Sequence, residues 1–424
     1  MTSAADETGA NGTRRDEILD TAAEVFAALG VRVSLKEIAE ACGILPGSLY
    51  HHFDSKDAIL VELVERYQAD LDRLARRTRA DLNRSDGPTP RELLMDTATA
   101  MAACGLRHRA ALQLTLFDPP SGASDALVRV LARRTTTIER AVGEVVRAGQ
   151  EAGQIRPSLD REAFADRLCQ SMLTLGAPVP ANAPGSDRIA AMKAQILLDG
   201  LAVRLPTDRQ LDRSAAFRAA AAVIASWESD AVDEDEEEDE RWVSLRAAAR
   251  AEFGRRGYEA TTIRDIAAAA GTSTGTVYRL VGSKYELLLS VMQSLAGHIT
   301  AGWEAVLGSD SSVVEKLDAL TWLDINVVSR FRDEYRIQLS SLQVSPPETA
   351  EEGWAFSRRL RETRTLLMSG VQQGEIQLPD GSDDERAWCV LELIWMPENL
   401  ASAGARPALA LARDTVIRGV ATRM

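Results

Sequence analysis

Aromatic side chains are scarce, at 5% of the 424 residues. No stretch alternates Val, Ile and Thr with polar residues for long enough to suggest a strand. No apolar run reaches the length of a membrane span. The opening "MTSAADETGANGTRRDE" holds no signal-peptide apolar core, which points to the cytoplasm. Cysteine is equally sparse. Cys42, Cys104, Cys169 and Cys389 show neither paired metal-ligand spacing nor a disulfide framework, so no metal and no cofactor is expected. The four histidines are His51, His52, His108 and His298, and there is no His-Glu-x-x-His, no Gly-x-Ser-x-Gly elbow and no Gly-rich phosphate loop. Catalysis is therefore not expected.

The abundant residues are Ala, Leu and Arg, which favour helices, so the chain reads as all-α. Its length exceeds one ordinary core and implies two or more domains. The net charge of −14 argues, taken alone, against a nucleic-acid partner. Phosphate contact depends on a local patch rather than on the total, however, and much of the acid sits in one run.

The chain is a doublet. "AAEVFAALG" aligns with "ARAEFGRRG", pairing Phe26 with Phe253 and Gly30 with Gly257 at an offset of 227. "LKEIAEACGILPGSLYHHFDSKDAIL" aligns with "IRDIAAAAGTSTGTVYRLVGSKYELL" at 228, pairing Ile38/Ile266, Gly43/Gly271, Gly47/Gly275, Tyr50/Tyr278, Ser55/Ser283 and Lys56/Lys284. Weaker matches follow. Pro119-Pro120 resembles Pro346-Pro347, "AGQEAGQI" (148–155) resembles "GVQQGEI" (370–376), and "LLDGLA" (197–202) resembles "VIRGVA" (416–421). A period this long is too great for a solenoid and reads as duplication of a whole unit.

Each copy opens with a head of three short helices feeding a longer fourth. The first runs from Arg15 to Leu29 and from Trp242 to Arg256, and Gly30 and Gly257 suit a C-cap with positive φ. The second opens on a capping box, "SLKE" from Ser34 and "TIRD" from Thr262. The third, "PGSLYHH" and "TGTVYRL", follows a glycine turn, and the pair forms a helix-turn-helix whose second helix suits a DNA major groove. Gly47 and Gly275 remove a side chain where a DNA backbone would approach. The fourth begins at Ser55 and Ser283, both N-caps. Lys56 and Lys284 then place a cation at a positive helix end, which an anion such as phosphate resolves. Tyr50 and Tyr278 can donate to another phosphate while their rings pack on the head.

These residues carry a resemblance. Both heads resemble the DNA-binding domain of the TetR family. The first matches at Ile38-Ala39, Ala41, Gly43, Gly47, Tyr50, Phe53 and Lys56, and the second at Ile266-Ala267, Ala270, Gly271, Gly275, Tyr278 and Lys284, with Val281 in place of the usual aromatic. The resemblance spans about fifty residues of each head. It implies an all-α fold of two TetR-like units, each a helix-turn-helix head plus a helical regulatory and dimerisation domain. It also implies repression relieved by a small molecule. Family members are ordinarily homodimers with one head per chain.

The expected boundaries are a disordered tail at 1–12, a first head at 13–58, a first regulatory domain at 59–205, a linker at 206–240, a second head at 241–288 and a second regulatory domain at 289–424. The linker holds an extra helix, with Phe217, Ala221, Ile224 and Trp227 on one face, and an acidic run from Asp233 to Glu240 that reads as a solvated spacer. That run as a DNA mimic over the second head is a further reading.

The heads differ. Residues 14–57 hold five basic and eight acidic side chains, whereas residues 241–284 hold eight basic and three acidic ones, so the second head is the expected stronger phosphate anchor. The second head offers Thr272, Ser273, Thr274, Thr276, Tyr278, Arg279 and Lys284 to DNA, with Thr262 at its capping box. The first offers Arg14, Ser34, Ser48, Tyr50, His51 and Lys56, with Leu45 where the second has Ser273. Two unequal half-sites are expected. Trp303, Trp322, Trp354, Trp388 and Trp395 all lie in the second regulatory domain; a pocket near Trp322 and Trp388 for a hydrophobic effector is one reading and core packing the other. By the resemblance, segments 161–177 with 188–204, and 384–397 with 407–422, form the dimerisation bundle. Both lie in one chain, so an intramolecular pseudo-dimer is expected, with a four-headed homodimer as the alternative. A ligand-binding or protein-interaction module whose first head has lost DNA contact is the competing function.

Overall fold

The computed structural model describes residues 4–31, 33–115, 118–119, 122–133, 136–174, 186–233, 240–344 and 356–423. Phe117, Pro120, Pro346, Pro347, Trp354 and the interior of the acidic run lie outside the described residues. Among the described residues the regular structure is helical, with only two isolated β-bridges. None of these helices is long and apolar enough to cross a membrane.

The first unit comprises α1 (Ala4–Leu29), α2 (Leu35–Ala41), α3 (Pro46–Tyr50), α4 (Lys56–Leu82), α5 (Pro90–Arg107), α6 (Arg109–Thr115), α7 (Asp125–Ala132), α8 (Thr137–Glu151), α9 (Arg161–Leu173) and α10 (Ser186–Asp199). α1 thus begins at Ala4, inside the segment read above as a disordered tail; no proline interrupts residues 4–29, so a helical chain can extend back from the head. A short helix, α11 (Asp208–Asp212), and a long one, α12 (Ala215–Asp233), follow. The second unit comprises α13 (Glu240–Arg256), α14 (Ile263–Ala269), α15 (Thr274–Val281), α16 (Lys284–Leu307), α17 (Val313–Arg330), α18 (Arg332–Val344), and then helices over Phe356–Gln372, Asp383–Ile394, Glu398–Ser402 and Ala405–Ala412, closed by a wide π turn at Arg413–Ile417.

Local chemistry explains the boundaries. Ser34 with Glu37 and Thr262 with Asp265 form capping boxes at α2 and α14. Ser55 and Ser283 accept the backbone N–H of Ala58 and Glu286 to cap α4 and α16. Thr89 with Glu92 and Ser312 with Glu315 do the same for α5 and α17, a further match between the copies. Gly30 and Gly257 end the first helix of each head at φ of 77° and 79°.

The apolar stripe of α4 (Ile59, Leu63, Val64, Tyr67, Leu71) packs against α5, α7 and α8. In the second unit α16 buries Leu287, Val291, Leu295, Ile299 and Trp303. Here the extra helix matters. α12 packs along α16 and α17 and buries Ala216, Phe217, Ala220 and Trp227. Phe217 stacks on Trp322 at 5.6 Å, and Trp227 meets Phe331 edge-on at 5.3 Å. Burying such a side chain contributes about 2 kcal/mol of transfer free energy, so this helix is core rather than tether. Ala221, placed by helical spacing on the inward face, is exposed; Ala220 takes that position.

The two regulatory domains meet through contacts that come in exchanged pairs. Leu201 N–H donates to Val416 O at 2.8 Å, and Val420 N–H to Leu197 O at 3.2 Å. Ala202 N–H donates to Ile417 O and Ala421 N–H to Leu198 O. Val203 N–H donates to Glu375 O and Thr422 N–H to Gln154 O. The two β-bridges, Ile155 with Ala421 and Ile376 with Ala202, repeat the relation. These are the segments whose sequences match weakly between the copies. Side chains add to the seam: Arg167 donates to Leu393 O at 2.7 Å, Lys193 pairs with Glu392 at 2.9 Å, and Arg188 pairs with Glu385.

Candidate nucleic-acid interface and ligand site

On each head the turn between the two core helices is a glycine in the left-handed region, Gly43 at φ 64° and Gly271 at φ 63°. The turn presents α3 and α15 at the surface. Leu49 buries beneath α3, and Val277 and Val281 beneath α15. Tyr50 and Tyr278 are each 55% exposed, so the two rings lie largely open rather than packed on the head. Ser48, His51, Thr274 and Arg279 are exposed. Ser273 caps α15 through Thr276 N–H and lies 2.9 Å from the Thr276 hydroxyl, and Thr272 is half-buried beside it. Leu45 stands in the capping position of α3, makes no side-chain cap and is 76% exposed. Ser34 and Thr262 are engaged in their capping boxes.

A Cβ on Gly47 meets no atom within 4 Å, and one on Gly275 meets only Ser273 Oγ at 3.8 Å. Neither glycine has a positive φ. The fold itself makes no demand for glycine at either position.

The two lysines behave alike. Lys56 Nζ donates to Val31 O at 2.9 Å, and Lys284 Nζ lies 4.0 Å from the centre of the Tyr258 ring. Val31 and Tyr258 occupy the same place in each copy, directly after the glycine that ends the first helix. Each lysine therefore folds back on its own head.

Arg14 pairs with Glu17 at 2.6 Å and donates to Cys42 O. Arg15, which spacing did not single out, stacks on Phe53 at 4.0 Å and pairs with Glu62. The second head holds Trp242 and Val281 at those two places, an apolar pair in exchange for a cation and a ring. Several cations of the second head are paired. Arg255 pairs with Glu252 and with Asp118 of the first unit, Arg256 with Glu252 and Asp265, and Arg250 with Glu334. Glu252 and Asp265 already stand among the three acidic side chains of the head, whereas Asp118 and Glu334 lie outside it and meet Arg255 and Arg250. Arg264 and Arg279 stay exposed.

In the second regulatory domain, Trp322 stacks on Phe217 of the extra helix, and the Arg406 guanidinium lies 4.9 Å from the Trp322 ring and 5.4 Å from the Phe217 ring; Trp388 is half-buried on the helix Asp383–Ile394. Asp324 on α17 is buried with Oδ2 unpartnered among the described residues, as are the Thr363 hydroxyl and the Trp395 indole N–H. Burial pushes the Asp324 carboxyl up to about 7, against the pull of the Arg359 charge. Arg359 lies 5.4 Å from the Trp395 ring, and Tyr335 lies 5.7 Å from the same ring and donates to Met396 O. Arg167 of the first unit reaches that strip too, with its guanidinium against Met396 Sδ. Only Arg359 and Thr363 of this buried polar set share a helix, one turn apart; Asp324, Tyr335 and Trp395 come from other parts of the chain.

Comparison with known proteins follows this geometry. The model for bacterial regulatory proteins of the tetR family matches at residues 18–63 and again at 245–291. The chain is 31% identical over 200 residues to the HTH-type transcriptional repressor KstR2 of Rhodococcus jostii, covering 47% of this chain and 96% of that protein. It is 26% identical over 155 residues to the HTH-type transcriptional regulator UidR of Escherichia coli, covering 36% and 74%. Among solved structures, KstR2 of Mycobacterium tuberculosis aligns at 26% identity and a TM-score of 0.35, over 42% of this chain and 89% of that one. Each relative is one unit long, whereas this chain has two. The chain belongs to the TetR family of bacterial regulatory proteins and carries two of its helix-turn-helix units in tandem.

Proposed function

We propose that the protein is a cytoplasmic, ligand-responsive transcriptional repressor, a single chain whose two unequal heads grip an asymmetric or imperfectly palindromic operator. The observation that carries this reading is the doubled head, each copy with an exposed tyrosine and a glycine open to the outside on its recognition helix. The exchanged backbone bonds between the regulatory domains support an intramolecular pseudo-dimer. A solution mass of 46.0 kDa by light scattering is expected; twice that mass would mean a four-headed homodimer.

In this reading the effector is a small, mainly apolar molecule with one polar group, entering the second unit beside Asp324, Tyr335 and Trp395. Its binding would act on the adjoining seam through Met396 and Arg167. A gel-shift titration of the full chain on the region upstream of its own gene tests the DNA function, and release by a compound screen tests the ligand response. Salt-independent or absent binding would remove the reading. The competing reading, a first head without DNA contact, is favoured by its acidic excess; footprints over one half-site only would support it.

A further inference from the structure

The first regulatory domain holds a cluster that the DNA reading does not use. Cys104 and His108 lie one turn apart at the C-terminal end of α5, and Asp70 faces them from α4. One ligand atom from each lies within 4.8 Å of the other two. Cys104 is buried, and the Asp70 and His108 side chains retain only 12% and 13% of their exposure. His108 Nε2 is 2.6 Å from Asp70 Oδ2, and the Tyr67 ring backs the imidazole at 5.8 Å.

We propose that Asp70, Cys104 and His108 form a binding site for a single thiophilic divalent cation, Zn²⁺ foremost. The donor set decides the class. Sulfur, imidazole nitrogen and carboxylate oxygen suit a borderline-soft ion, whereas Mg²⁺ and Ca²⁺ take oxygen. Three ligands from two packed helices leave a fourth tetrahedral position for water. The residues need little rearrangement, since the spacing of i and i+4 already puts Cys104 and His108 on one face. On binding, the Cys104 thiol gives its proton to solvent, and the neutral His108 ring offers a nitrogen lone pair. Thiolate and carboxylate then balance the ion's two charges. Opposing this are the arginines paired with Asp70, Arg107 at 3.1 Å and Arg73. Both are about two-thirds exposed, at 66% and 64%, and can turn outward.

The site also has a position in the fold. α4 descends directly from the first head, and α6, which follows His108, packs against α1 of that head. An ion would tie α4 to the α5–α6 corner.

The test uses full-length protein, reduced and stripped with chelator, titrated with Co²⁺ and then with Zn²⁺. One equivalent of Co²⁺ should give thiolate-to-metal charge-transfer absorption that Zn²⁺ abolishes. Cys104→Ser should remove that band, His108→Gln should weaken binding by more than about tenfold, and Arg107→Ala should strengthen it. Circular dichroism checks that each variant keeps its helices. A misfolded Cys104→Ser is replaced by Asp70→Asn, which should likewise weaken binding. Wild-type protein without the band, or a band and affinity unchanged in folded Cys104→Ser or His108→Gln, would overturn the proposal.

Discussion

Gly200 and Gly419 lie back to back at the centre of the seam. A Cβ on Gly200 would fall 2.3 Å from Gly419 N, and one on Gly419 would fall 2.4 Å from Gly200 N. Both have positive φ, at 72° and 74°. Any side chain there forces the backbones apart and strains its own residue. Gly200→Ala and Gly419→Ala should each lower the free energy of unfolding by about 3 kcal/mol or more. Urea denaturation measures this, and a wild-type midpoint in either variant would contradict the close approach.

The head glycines should behave oppositely. Gly47→Ala and Gly275→Ala meet open space, and alanine favours a helix by about 0.5–1 kcal/mol over glycine. Melting temperatures should hold or rise slightly while operator affinity falls several-fold. Unchanged affinity would mean that DNA does not approach the helix there.

Affinity should be divided unequally between the heads. Replacing Arg279 and Lys284 with Ala should weaken operator binding more than replacing His51 and Lys56. Each lost phosphate contact should flatten the salt dependence by about one unit of slope. Equal losses in a gel-shift titration would refute the ranking. Lys56→Ala also removes the bond to Val31 O, so its stability is measured alongside.

The buried Asp324 carboxyl gives stability a pH slope. Its pKa is up to about 7 when folded, whereas the unfolded chain ionises near the ordinary value of 3.8. Between those values the folded protein keeps a proton that the unfolded chain has lost, so this residue makes stability fall as pH rises from about 4 to 7. Asp324→Asn should remove that fall. Urea midpoints of variant and wild type should diverge across the window, and parallel profiles would count against the burial.

What could be read from the sequence follows from range. Helix ends in the heads depend on residues three apart, so Ser34 with Glu37 and Thr262 with Asp265 were legible. The weak matches at 148–155 and 197–202 were visible but mute, because their meaning lies in pairing with 416–421 and 370–376 across the seam. Counting charge within the second head missed the acids that reach it from elsewhere, Asp118 of the first unit against Arg255 and Glu334 of α18 against Arg250. Tryptophan content pointed to Trp322, but Phe217 of the presumed linker fills that face. The Asp70, Cys104 and His108 cluster leaves no local motif because Asp70 belongs to the preceding helix, α4, and meets the other two only when α4 and α5 pack.

The exchanged bonds of the seam also bear on how such a protein can diverge. In a homodimer one codon writes both sides of a symmetric contact, so every substitution strikes twice. Here Leu197 and Val416, or Leu201 and Val420, are written by separate codons. A change on one side can be tolerated while its counterpart holds, and a lopsided bond such as Lys193 with Glu392 can be selected on its own.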